Sequence, residues 1–144
     1  MQTGPIRLLK AACIMTIGTG LVSAAASHPS GDALWALLFD ILKWPVDGME
    51  GNFSSEARVL NAVCGGMLAG WGSMMYWLAN GPISRGDQSA KRAFAISVLV
   101  WFTIDSAGSF AAGWPGNVAL NCGFLIALLG PLAALPRSTV ATDH

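Results

Sequence analysis

The stretch AFAISVLVWFTIDSAGSFAA (residues 93–112) decides how this chain is read. It is apolar over about 20 residues, the length a helix needs to cross a bilayer. It holds a single charge, Asp105. A carboxylate inside such a helix costs about 2.5–3.5 kcal/mol on insertion scales, so it faces protein or water rather than lipid. The stretch therefore predicts a membrane-spanning helix with one polar point in it.

Composition extends that reading to the whole chain. Of 144 residues, 53% are hydrophobic and 11% charged, with mean hydropathy +0.54. Soluble domains carry about 25% charged residues, so the deficit points to lipid as the solvent. The eight basic and eight acidic residues balance and form no basic block, which argues against a nucleic-acid partner. No charge run, low-complexity tract or repeat divides residues 1–144, so one transmembrane domain is expected.

Three further apolar segments join the first: residues 8–26, 59–79 and 118–135, the last holding Pro131 near its end. The fold class expected is an all-α four-helix transmembrane bundle. A shorter stretch, ALWALLFDILKWPV (residues 33–46), contains Asp40 and Lys43 and is too short to span. It reads as an interfacial or re-entrant helix stopped by Pro45 and the Asp47–Gly48 turn, with Trp35 and Trp44 at headgroup level. The tail, 136–144, is polar.

Loop charges set an orientation. Arg7 and Lys10 precede the first segment, Arg85, Lys91 and Arg92 separate the second from the third, and Arg137 follows the fourth. Asp32, Asp40, Asp47, Glu50 and Glu56 lie between the first and second, opposed only by Lys43 and Arg58. Basic residues stay on the cytoplasmic side, so both termini are expected there, with residues 27–57 and 113–117 outside. The first segment also resembles a signal peptide, with Ala24, Ala25 and Ala26 as a cleavage site. The reading taken is a retained helix, because Gly18 and Gly20 suit close packing in a bundle.

With that orientation, Asp105 lies roughly 10 Å below the outer surface, at about 1.5 Å per residue. Ser109 is one turn away on the same face, and Asn117 and Asn121 share a face of the fourth segment. Arg58 and Asn61 open the second segment at similar depth. Arg58, Asn61, Asp105, Ser109, Asn117 and Asn121 thus form one candidate polar site. Two readings stand for it: hydrogen-bonded pins between helices, or a functional site centred on Asp105. Asp105 itself is either neutral or paired with Arg58.

Gly66 and Gly70 form a GxxxG, with Gly65, Ala69 and Ser73 on the adjoining face, a pattern that lets helices approach closely. Tyr76, Trp77 and Trp114 fall near segment ends and suit the aromatic belts; Trp71 and Trp101 are mid-span fillers. His28 and His144 are the only histidines, and Cys13, Cys64 and Cys122 lack CxxC spacing and read as buried small hydrophobes. No Walker, GxGxxG or GxSxG motif occurs. Neither a metal, a cofactor nor a catalytic residue is expected. The acidic residues of 27–57 read as a solvated loop.

The strings FDILKWPVDG, EARVLNAVCGGMLAGWG, WFTIDSAGS and NVALNCGFL, spread over most of the chain, resemble the layout of small, uncharacterised four-helix inner-membrane proteins of proteobacteria. The resemblance implies the architecture and an inner-membrane location, and transfers no activity. Two functions are carried forward. The first is an accessory or scaffold subunit of a membrane assembly, bound to a membrane-protein partner or to itself. The second is a small transporter or proton-linked carrier using Asp105.

Overall fold

The computed structural model describes residues 4–43, 48 and 53–136. Among these, five α-helices and two 3-10 turns account for the regular structure, with no strand. The helices are α1 (Gly4–Ala25), α2 (Ala33–Lys43), α3 (Ser55–Asn80), α4 (Gln88–Ala111) and α5 (Pro115–Ala133). The turns are Pro29–Gly31 and Ile83–Arg85. Three helices, α1, α4 and α5, are long and apolar enough to cross a membrane. The longest helix, α3, falls short in apolarity because Asn61, four glycines and several polar residues dilute it.

Each long helix begins earlier than its apolar run. Ser54 caps α3 by accepting from the Ala57 N–H (3.3 Å), and Asp87 caps α4 by accepting from Ser89 and Ala90 (2.8 and 3.0 Å). Glu56, expected in the loop, is an exposed residue of α3's first turn. Its own backbone N–H and the Ser54 and Ser55 hydroxyls hold its carboxyl below the usual range. Its help to the cap is present above that range and lost as pH falls through it. Pro115 opens α5, where its missing N–H costs no hydrogen bond. The α4–α5 turn needs Gly113, at φ +79°. The expected short helix ends at Lys43; Trp44, Pro45, Val46 and Asp47 lie outside the described residues, as do 137–144 of the tail. Gly48, at φ +80°, donates its N–H to Asp40.

The closest helix pair is α1 with α3. A Cβ added to Gly20 would lie 2.6 Å from the Ala69 nitrogen, and one added to Gly65 would meet the Ala24 nitrogen. Only glycine permits backbones that near. A Cβ at Gly66 or Gly70 meets nothing within 4 Å, so within one chain the seam runs through Gly65 rather than the GxxxG. On its other side α1 rests on α5, which also carries α4 and α2. By contrast, α3 and α4 barely meet.

The core therefore occupies one end of the bundle. Leu9, Cys13, Met75, Phe94, Val98 and Leu128 are fully buried there. Lys10 closes that end on Asn80 (2.6 Å) and Lys91 on the Leu135 carbonyl (2.9 Å). Outside, Ile14, Leu21, Val59, Val63, Ile96, Ile104 and Ile126 are exposed. A surface this apolar belongs in lipid.

Candidate functional site

At the opposite end the helices diverge around a cavity of about 630 Å³. Its floor is aromatic. Trp71 and Trp101 meet at a tilt with ring centroids 5.6 Å apart, Phe124 meets Trp101 edge-on at 6.1 Å, and the Trp71 indole N–H donates to Ser97 Oγ (2.7 Å). That hydrogen bond spans the α3–α4 gap. Thr16 and Ser23 of α1 line the back, and Trp35, Leu38, Phe39 and Leu42 of α2 form a roof. The roof is seated where Gly116 touches the Leu42 carbonyl, a place with no room for a Cβ.

Asp105 lines this cavity and anchors a hydrogen-bonded cluster. Its Oδ1 accepts from Ser109 Oγ (3.0 Å), Asn117 Nδ2 (3.0 Å) and Asn121 Nδ2 (3.1 Å). Asn117 also donates to Ser109 Oγ (2.8 Å), and Asn121 to Ser106 Oγ (3.2 Å). The local sequence explains the convergence. Asp105 and Ser109 are one turn apart on α4, Asn117 and Asn121 one turn apart on α5, and a tight turn makes the two helices antiparallel neighbours. Three donors saturate Oδ1, while Oδ2 accepts no hydrogen bond among the described residues.

The other two residues of the expected site lie on a different seam. Arg58 pairs with Asp32 (3.1 Å) and donates to the Ala26 carbonyl (3.3 Å), not to Asp105. Asn61 is buried, and its carbonyl accepts from Ser23 Oγ (3.2 Å). The six residues thus divide into an α4–α5 cluster and an α1–α3 cluster at the same end of the bundle. Gly66 and Gly70 face away from both. Ser106, Ser23 and Trp35 were missed by the sequence reading. Ser23 was findable, since Thr16, Gly20 and Ser23 follow a helical i, i+4, i+7 stripe.

One other expectation is corrected. Cys13 is buried, but Cys64 and Cys122 are exposed, because α3 and α5 turn those faces outward or toward the cavity. Trp35, expected at headgroup level, lines the cavity, and its buried indole N–H has no acceptor among the described residues. Among the described residues no three His, Cys, Asp or Glu side chains gather as metal ligands do.

Fold and site together define the class: a small helical membrane protein with a cavity that meets a carboxyl group on a helix long and apolar enough to cross a membrane. Comparison with protein-family models, curated proteins and solved structures finds no match for the chain.

Proposed function

We propose that this is a four-span inner-membrane protein, with α1 retained and both termini cytoplasmic, that binds a small ligand between its helices as a transporter or proton-linked carrier. Asp105 is the exchanging group, and Asn117 and Asn121 hold it in place. The observation that carries this reading is the cavity. Its volume falls in the range of ligand sites, about 300–1,000 Å³, and a few convergent polar groups in an apolar wall are what such sites contain. The buried indole N–H of Trp35, which has no acceptor among the described residues, adds a donor for an occupant.

Native mass spectrometry of the full chain, extracted gently from its own membrane, tests the reading. The expected result is the intact chain of 15.0 kDa with a small molecule attached. A chain that carries no small molecule, and arrives in stoichiometric complex with another protein, would overturn it.

That second outcome is the accessory or scaffold reading, and one observation favours it. Gly66 and Gly70 present an open small-residue face flanked by exposed Val59, Val63 and Met74. Replacing both glycines by Leu then breaks an association without unfolding the chain. Unchanged association would remove this face as the interface.

A further inference from the structure

Resting on the ligand-site reading, we infer that the cavity selects a lipophilic organic cation, an aromatic or quaternary onium ion with one positive charge. Charge comes first. Among the described residues that line the cavity, Asp105 is the one Asp, Glu, Lys, Arg or His. Its three hydrogen-bond donors are a hydroxyl and two carboxamides, all neutral, so they solvate the carboxylate without cancelling its charge. No Lys, Arg or His is among the described residues that line the cavity. Arg58 is held by Asp32 and Ala26, Lys43 stands 5.9 Å over the Trp114 ring, and Lys10 and Lys91 tie off the far end. An anion beside Asp105 would meet a like charge, and Lys43, the cation at the wall, already lies over the Trp114 ring, whereas a cation supplies Asp105 with the opposite charge.

The walls make the same choice. Trp35, Phe39, Trp71, Trp101, Trp114 and Phe124 surround the space. The faces of such rings are negative and attract cations, most strongly where water is excluded. Lys43 over Trp114 is a case already present in this molecule. A small hydrated ion such as sodium gains little here, because the lining offers few oxygens to replace its water. A bulky onium ion sheds little hydration, fills the apolar volume, and leaves its charge beside Asp105 Oδ2.

The test uses two ions of one shape and opposite charge. Tetraphenylphosphonium and tetraphenylborate are titrated separately into the full chain in phosphatidylcholine nanodiscs, with empty nanodiscs subtracting partition into lipid. Saturable binding of the phosphonium alone is expected. It weakens by at least about tenfold in Asp105→Asn and survives in Asp105→Glu, which keeps the charge. Trp101→Leu weakens it about threefold or more. Saturable binding of the borate as strong as that of the phosphonium would overturn cation selection while leaving a ligand cavity standing. So would unchanged phosphonium binding in an Asp105→Asn protein that remains monodisperse and helical. Saturable binding of neither ion overturns the inference too. A neutral molecule found by native mass spectrometry would then still support the ligand site itself.

Discussion

The same four long helices make a packed half and a hollow half. In the packed half, Leu9, Met75, Phe94 and Leu128 interlock without solvent contact. In the hollow half, rings of Trp71, Trp101 and Phe124 hold α3 away from α4, and α2 lies over the gap. The α1–α3 seam runs through both, close-packed at Gly72 beside Ile17 and again at Gly20 and Gly65. Glycines close one side of the bundle while aromatic rings prop open the other. Hollowness here is therefore a local choice of side chains, and it falls where the polar groups gather.

The contrast can be broken most severely at the shared seam. Gly65→Leu forces a side chain into the α1 backbone and should prevent both halves from forming, at a cost above about 3 kcal/mol. Unfolding in mixed micelles, followed by circular dichroism, reads it. A matched pair of truncations sharpens the contrast next. Phe94→Ala should cost about 3–5 kcal/mol, because its neighbours cannot collapse, whereas Phe124→Ala only enlarges an existing cavity and should cost less than half as much. Equal losses would mean that the two halves are equally packed. Asn121→Leu takes one donor from Asp105 and one from Ser106, which at about 0.6 kcal/mol each makes a loss of about 1 kcal/mol. The smallest effect belongs to Gly66→Leu, which meets open space and should leave single-chain stability within about 0.5 kcal/mol. A larger loss at Gly66 would show a contact between chains.

Particular residues show what the chain itself disclosed. The Asp105 cluster was legible because it needs only two i, i+4 pairs on helices joined by a short turn, and local geometry fixes both. Helix ends were less so: Ser54 and Asp87 cap before the apolar runs begin, so the segments start several residues early. Arg58 was assigned a partner by depth alone. Its actual partner, Asp32, sits on the connection leading into α2, and depth says nothing about where that connection runs. The GxxxG pattern named small residues without fixing helix rotation, and a turn of one residue moves the seam from Gly66 to Gly65. The cavity was not legible at all, since it depends on α2 docking against α5.

That docking point has a consequence for biosynthesis. Leu42 and Gly116 are about 74 residues apart, and a ribosome adds about 5–20 residues per second. For roughly 4–15 s after α2 emerges, its seat on α5 does not exist. The α1–α3 seam is complete in sequence well before then, so the frame of the bundle can assemble while the roof still waits. The cavity is the last part of the molecule to be enclosed, and an occupant can help to finish the protein but not to start it.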